Sequence, residues 1–165
     1  MILICYDGSP DSRSAVERAA DLFRDQPATV LTVWEPFVEM AARSSLGIGL
    51  VPFTPDPEEI DEASGKAAEQ TAAEGAALAT GLGMTAEPKA ASQTTTTARA
   101  ILAEAEAMGA SAIVMGSRGL TGVKSLLLGS VSHEVVQHAD RAVVVVPSPE
   151  VAASRARAVH EASAK

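Results

Sequence analysis

The sequence predicts a doubly wound α/β domain, in which helices cover both faces of a five-stranded parallel sheet. Strand-like apolar runs alternate with helical patterns over residues 1–148, and this alternation favours right-handed crossovers between parallel strands. The chain has 165 residues, of which 47% are apolar and 3% aromatic, enough for one domain with an aliphatic core. Residues 149–165 have little to bury, so we expect a frayed helix or a disordered tail there.

The first strand and helix have clear sequence signals. Residues 2–6 are an apolar run that predicts a strand. Ser9 followed by Pro10 predicts an N-cap and the first residue of a helix that ends near Phe23. Residues 29–34 are rich in β-branched side chains and predict the second strand.

A long irregular stretch follows the second strand. Residues 35–56 contain several prolines and glycines and are longer than an ordinary connection, which is typical of a functional flap or a mobile loop. The sequence does not separate these two alternatives. The segment from Pro57 to about Thr80 predicts a helix with acids in its first turn, and Gly81 stands just past its expected end.

The second half of the chain repeats the alternation of strand and helix. Residues 85–91 predict a third strand at the edge of the sheet, because Pro88 cannot donate to a neighbouring strand. Residues 94–97 supply caps for a helix that extends to Met108, with Gly109 as its stop.

Composition and charge argue against several classes of partner. The net charge of −8 argues against a general nucleic-acid surface, which requires clustered Lys and Arg, so we expect no DNA partner. No apolar run approaches the roughly 20 residues of a membrane helix, so we expect no membrane partner. Met1 leads directly into a strand without a basic leader, and this predicts a cytoplasmic protein. Cys5 has no second cysteine for an internal disulfide and is expected to be a small buried hydrophobe.

Residues 116–132 form a glycine loop between a predicted fourth strand, at 112–115, and a helix that starts near Ser130. The loop has three glycines at positions where the backbone would need a positive φ or a close approach to a ligand: Gly116, Gly119 and Gly129. Ser130 is a candidate N-cap for the helix. The free N–H groups and the dipole of that helix favour an anion, and a phosphate is the usual one.

The chain matches neither of two familiar phosphate-binding motifs. A Walker A loop needs glycine immediately before Lys-Ser, but Val123 precedes Lys124. A dinucleotide motif elsewhere in the chain lacks its third glycine, because Pro52 stands in that place. The spacing that fits is G-x2-G-x9-G-[ST], from Gly116 to Ser130.

This spacing resembles the ATP-binding signature of the universal stress protein family. The segments ILICYDGSPDS, LTGVKSLLLGSVSHEVVQHA and AVVVVPSP are similar as well, so the resemblance covers about residues 1–148. It implies the strand order 3-2-1-4-5, which would bring Asp7 beside Gly116 at the carboxyl edge of the sheet, where ligands bind in such folds. The implied ligand is ATP, with Mg²⁺ on its phosphates.

The resemblance also assigns individual contacts. It places the backbone of Val33 against adenine and Met115 in the same pocket, although both side chains could equally be core residues. Asp7 could meet the ribose hydroxyls or Mg²⁺, or it could cap the turn that follows it. Arg118 and Lys124 are cationic candidates for the triphosphate, with solvated loop cations as the alternative.

The start of the helix after the loop supplies the remaining predicted nucleotide contacts: Ser130, Val131 and Ser132. The two serine hydroxyls can donate to phosphate as well as cap the helix. His133 and His138 are five residues apart and so lie on different faces of a helix, which argues against a metal site. The chain has neither a G-x-S-x-G motif nor a CxxC pair, so no catalytic residue is predicted and ATP hydrolysis is expected to be slow at most.

Two functions remain open on the sequence. The first is an ATP-binding stress-response or regulatory protein with an unknown protein partner; the second is a dimeric interaction protein of the same fold without a nucleotide. The complete glycine motif favours the first. Two departures from the family pattern, at residues 92–93 and 140–141, lie outside the glycine loop.

The last strand predicts how the protein assembles. Ala142–Val146 is nearly pure valine and would lie at the sheet edge, without the charge or proline that usually protects an edge. We therefore expect a homodimer in which two copies of this strand pair antiparallel about a two-fold axis. The alternative is that the C-terminal tail folds back over the edge.

Overall fold

The computed structural model describes residues 1–43, 56–119 and 128–163. Five strands form the sheet: β1 (Ile2–Cys5), β2 (Ala28–Trp34), β3 (Ala86–Ser92), β4 (Ala112–Gly116) and β5 (Ala142–Val146). Their order is β3-β2-β1-β4-β5, and every neighbouring pair is parallel. The predicted fold class and strand order are confirmed.

Six helices accompany the sheet in the described part of the chain: α1 (Pro10–Leu22), α2 (Phe37–Arg43), α3 (Pro57–Gly81), α4 (Thr97–Ala107), α5 (Ser130–His138) and α6 (Pro149–Ser163). The predicted start of α1 is confirmed, because Ser9 accepts a hydrogen bond from the Ser12 N–H at 3.1 Å and Pro10 is the first helical residue. Thr96 caps α4 in the same way.

The core is divided by the sheet into two apolar clusters. Ile2 and Ile4 of β1 pack on one side with residues of α1 and α3. Leu3 packs on the other side with Ile101 of α4 and Val135 of α5. Since successive side chains of a strand point to opposite faces, an uninterrupted apolar run such as β1 serves both clusters.

The centre of the sheet creates a crevice at its carboxyl edge. β1 lies beside β4 with Ile4 opposite Val114. The helix that follows β1 packs on one face of the sheet, and the helix that follows β4 packs on the other. The two connections therefore diverge from neighbouring strands, which is the topological switch point where ligands bind in doubly wound folds.

Helix α3 differs from its prediction at its end and in its packing. Gly81 is its last residue, and the left-handed position belongs to Gly83, whose φ is +90°. Gly75 lies against the sheet, where an added Cβ would be 2.7 Å from Cγ of Tyr6 and 2.8 Å from Cγ1 of Val30. Glycine at position 75 therefore allows a close approach between α3 and the sheet.

The stretch predicted to be irregular contains a helix. Residues 37–43 form α2, whose first N–H group, on Phe37, donates to Oδ1 of Asp61 at 2.6 Å. That acceptor belongs to α3, so the cap is supplied from a distant element. The prediction of a flap or mobile loop falls mainly on residues 44–55, which lie outside the described residues.

The two edges and the tail complete the architecture. β3 is an edge strand, as Pro88 predicted, and β5 forms the other edge. The tail is helical over Pro149–Ser163, and Val151 in it is buried. Among the described helices, none is both long and apolar enough to cross a membrane.

Candidate functional site

The turn after β1 is held by hydrogen bonds between near neighbours. Oδ1 of Asp7 accepts from the Ser9 N–H at 3.0 Å, and the Ser12 hydroxyl donates to the Ser9 carbonyl at 3.0 Å. Gly8 supports the turn with φ +78°, a conformation that L side chains rarely adopt. The capping role weighed for Asp7 is therefore present, and it uses one carboxylate oxygen.

The second carboxylate oxygen of Asp7 lies against the glycine loop. A Cβ added to Gly119 would be 2.7 Å from Oδ2 of Asp7. The predicted meeting of this turn with the glycine loop is thus seen in the structure, where Asp7 lies against Gly119.

Gly116 is required for a different close approach. A Cβ at this position would lie 2.8 Å from the backbone carbonyl carbon of Asp11 and 2.9 Å from the Ser12 nitrogen. The first turn of α1 therefore packs directly on the end of β4. None of the three motif glycines has a positive φ; among the described glycines, that conformation occurs at positions 8, 83 and 109.

Ser117 joins four segments around the crevice. Its side chain is fully buried, and its hydroxyl donates to Oδ2 of Asp11 at 2.7 Å. Its N–H donates to the carbonyl of Val146 at 2.8 Å, while its own carbonyl accepts from the Gly129 N–H at 2.8 Å and from the Ser132 hydroxyl at 2.9 Å. These bonds fix the start of the glycine loop relative to α1, β5 and α5.

The prediction that Ser130 is the N-cap of α5 is wrong. Gly129 is the N-cap, with extended backbone and no side chain to cap the helix, and Ser130 is the first helical residue. Ser132 uses its hydroxyl on the carbonyls of Ser117 and Gly129, so in this structure it holds the loop. The first N–H groups of α5, including that of Val131, have no acceptor within the helix.

Arg118 is more buried than a loop cation in solvent would be. Its side chain is only 17% exposed, and its Nε lies 3.8 Å from Oδ2 of Asp11. The interpretation as a solvated loop cation is therefore wrong for Arg118. The other predicted cation, Lys124, lies outside the described residues.

The residues assigned to the adenine pocket belong to the core on the α4–α5 side of the sheet. Met115 is 4% exposed, and Val33 and Val131 are partly buried against the same cluster. The core role weighed for Val33 and Met115 is thus present, and Val131, predicted as a nucleotide contact at the start of α5, packs in the same cluster. Cys5 packs there too, and burial raises the pKa of its thiol to about 12, so the thiol remains protonated.

Sequence reasoning missed the two buried polar residues that organise the site, Asp11 and Ser117. Asp11 in the first turn of α1 has the pattern of an acid that complements a helix dipole, and nothing nearby in the sequence indicates its distant partners. A third missed group is Tyr6, whose hydroxyl donates to Glu74 at 2.8 Å. Burial and this hydrogen bond raise the pKa of Tyr6 to about 12, so it remains neutral while it ties β1 to α3.

Two further features of the described residues concern metal ligands and other cavities. Within residues 1–43, 56–119 and 128–163, no group of three His, Cys, Asp or Glu side chains is placed to hold a metal ion. A groove of about 660 Å³ runs along α4, with Arg99, His138 and Arg141 in its walls. None of the predicted nucleotide contacts lines this groove, so it is separate from the crevice.

The sheet order and the diverging connections together define the class: a doubly wound α/β protein, in which the switch point is the usual place for a ligand. Within that class, residues 1–147 match the model of the universal stress protein family. The chain belongs to the universal stress protein family.

A sequence relative supports the same assignment, and two solved structures share the fold. Universal stress protein YxiE of Bacillus subtilis is 33% identical over 152 residues, which cover 88% of this chain and 97% of that protein. Universal stress protein UspA from Lactobacillus plantarum shares the fold with a TM-score of 0.67 at 18% identity, over 88% of this chain and 95% of that one. A universal stress protein from Archaeoglobus fulgidus, solved in complex with dAMP, has a TM-score of 0.60 at 18% identity, over 88% and 95% of the two chains.

Proposed function

We propose that this chain binds ATP, with Mg²⁺ on the phosphates, in the crevice between the ends of β1 and β4, and acts as a nucleotide-dependent stress-response or regulatory protein. The observation that carries the proposal is the contact between Oδ2 of Asp7 and Gly119. It brings a carboxylate that can bind ribose hydroxyls or Mg²⁺ against a glycine loop that leads to a helix N-terminus.

Each part of the nucleotide has a partner in this proposal. The phosphates bind the loop at Gly119, the N–H groups at the start of α5 and the guanidinium of Arg118. The adenine contacts the backbone of Val33 and the side chain of Met115. The dAMP complex of the Archaeoglobus fulgidus protein supports an adenine nucleotide as the ligand class for this fold.

The proposed function depends on ATP binding and does not require rapid ATP hydrolysis. General base catalysis of ATP hydrolysis needs a side chain within hydrogen-bond reach of the attacking water. The crevice offers the carboxylates of Asp7 and Asp11. Oδ1 of Asp7 accepts from the Ser9 N–H and its Oδ2 is assigned here to the ribose or Mg²⁺, while Asp11 accepts from the Ser117 hydroxyl. We therefore propose that hydrolysis is slow at most.

Calorimetric titration with ATP and Mg²⁺ tests the nucleotide site. Wild-type protein is expected to bind, and Gly119→Val is expected to abolish binding, because its side chain would displace the Asp7 carboxylate and fill the crevice. Gly81→Val is the control, since a Cβ at position 81 meets no atom within 4 Å. Absence of binding by the wild type, or unchanged binding by Gly119→Val, would contradict the proposal.

The edge strand supports a second proposal, a homodimer through β5. Val143, Val144 and Val145 are only partly buried in the single chain, and a partner strand would cover them. Fully burying such a side chain contributes roughly 1.5–3 kcal/mol, so several per subunit could offset the cost of association.

Sedimentation equilibrium of the wild type and of Val144→Lys tests the dimer. We expect a wild-type dimer and a folded lysine monomer, with circular dichroism to verify the fold. A wild type that remains monomeric at tens of micromolar, or a lysine variant that remains dimeric, would show that the edge is covered in another way, for example by the C-terminal tail. A wild-type dimer that does not bind ATP would favour the nucleotide-independent alternative.

A further inference from the structure

Arg118 is a largely buried cation with few protein partners. Its side chain is 17% exposed, and its ionic neighbour among the described residues is Asp11, at 3.8 Å from Nε. That distance is too long for a hydrogen bond, and within the described ranges no residue accepts a hydrogen bond from this guanidinium. A guanidinium has five donors, and burying them without acceptors is costly, so the environment favours an anionic ligand.

Asp11 is held in place from two directions. Its Oδ2 accepts from the buried Ser117 hydroxyl at 2.7 Å, and the same oxygen faces Nε of Arg118. The backbone of Asp11 packs on Gly116 so closely that not even a Cβ would fit between them. The carboxylate therefore has a fixed position relative to the end of β4.

We propose that Asp11 is the positioning residue of the phosphate site: the attraction between its carboxylate and Nε of Arg118, 3.8 Å away, orients the guanidinium and leaves its two terminal nitrogens to bind a phosphate group. This inference rests on the proposed function. The two terminal nitrogens form a planar fork that matches two oxygens of one phosphate, and such a pair gains from being held in advance. Asp11 itself does not touch the ligand.

The direction in which phosphate affinity changes on neutralising Asp11 distinguishes a positioning role from a purely electrostatic one. Asp11 is a negative group close to the site of a polyanion, so by electrostatics alone its neutralisation should tighten phosphate binding. If Asp11 positions Arg118, its neutralisation should weaken phosphate binding instead. Asp11→Asn makes this distinction well, because the amide oxygen can still accept from the Ser117 hydroxyl.

The experiment titrates wild type, Asp11→Asn and the control Asp21→Asn with ATP, inorganic tripolyphosphate and adenosine. Asp21 carries the same charge at the exposed end of the same helix, where it pairs with Arg18 at 3.2 Å. We expect Asp11→Asn to bind ATP and tripolyphosphate about tenfold more weakly, the equivalent of about 1.4 kcal/mol, and to bind adenosine as the wild type does. Asp21→Asn should match the wild type for all three ligands.

A double-mutant cycle with Arg118→Lys tests whether Asp11 acts through Arg118. Once position 118 is lysine, the further change Asp11→Asn should cause little additional loss of ATP affinity. If Asp11→Asn does not fold, Ser117→Ala takes its place, because it removes the hydrogen bond that fixes the carboxylate and retains both charges. The same selective loss for phosphate ligands is expected.

The outcomes distinguish this inference from the proposed function. Equal or tighter ATP binding by Asp11→Asn, or additive losses in the cycle, would overturn the role of Asp11 and leave ATP binding intact. Binding of tripolyphosphate that depends on Asp11, in a wild type that does not bind ATP, would support the inference and overturn the nucleotide function. Binding of none of the three ligands would overturn both.

Discussion

The two turns that enclose the crevice are stabilised in opposite ways. The turn after β1 is held by bonds such as Asp7 to Ser9 and Ser12 to Ser9, which span two and three residues. The segment after β4 is held by long-range bonds, including the hydrogen bond from Ser117 to Asp11, which spans 106 residues. Both turns follow buried strands in the middle of the sheet, so their different stabilisation does not arise from their place in the fold.

The difference shows which of the two turns has a shape defined by its own residues. The first turn defines its own shape and places Asp7 and the start of α1. The second packs on it, since Gly116 lies against the backbone of Asp11 and Gly119 lies against the carboxylate of Asp7. The glycine loop thus takes its position from the first turn, and substitutions in the two turns should have different consequences.

The largest loss of stability is expected from a substitution where the two segments are in contact. Gly116→Ala introduces a Cβ within 3 Å of backbone atoms of α1, and overpacking of this kind costs about 1–3 kcal/mol, here toward the upper end because the neighbours are backbone atoms. Gly129→Ala is the control, because its nearest contact would be an ordinary 3.5 Å. Urea denaturation measures the free energy of unfolding of both variants, and equal losses of stability would contradict the close approach at Gly116.

A smaller loss is expected when the long-range bonds are removed. Ser117→Ala leaves the buried Asp11 carboxylate without its hydroxyl donor, and hydrogen bonds to charged groups contribute about 1.5–3 kcal/mol. We expect the free energy of unfolding to fall by about 2 kcal/mol. Ser111→Ala, at the other end of β4, removes an exposed hydroxyl that donates to Met1 and should change stability far less. Similar values for the two variants would show that Ser117 does not organise the loop.

The smallest loss is expected in the locally stabilised turn. Ser9→Ala removes the N-cap of α1, which typically costs about 1 kcal/mol. Ser14→Ala, in the interior of the same helix, should be neutral or slightly stabilising because alanine is the better helix former. Thermal unfolding of Ser9→Ala and Ser14→Ala measures how much the N-cap contributes to stability. If Ser9→Ala loses more stability than Ser117→Ala, the comparison between the two turns is reversed.

Much of the fold could be predicted from the sequence because it is encoded in local patterns. The alternation of strands and helices, the start of α1 at Ser9 and Pro10, and the edge position implied by Pro88 are all properties of a few neighbouring residues. The family resemblance supplied the strand order. The short helix α2 was missed because it lies in a segment dominated by prolines and glycines, and its cap comes from Asp61 in another helix.

The candidate site was predicted only in part. Its location followed from the glycine spacing together with the carboxyl ends of two central strands, and the structure brings Asp7 and Gly119 together there. The reasons given for the individual glycines were incomplete, because a positive φ and a close approach look alike in a sequence. The sequence also left Arg118 open between a phosphate contact and a solvated loop cation, and its low exposure beside a carboxylate from α1 argues against the second.

The sequence by itself determined where strands, helices and the first turn form, since these depend on φ preferences, caps and apolar spacing within a few residues. Only the tertiary structure decided that Asp11, Ser117 and Arg118 lie together, that Gly116 packs on the start of α1, and that Gly119 packs on Asp7. The physical reason is that these contacts join residues far apart in the chain. They require α1 to pack on the end of β4, and no local sequence pattern predicts that packing.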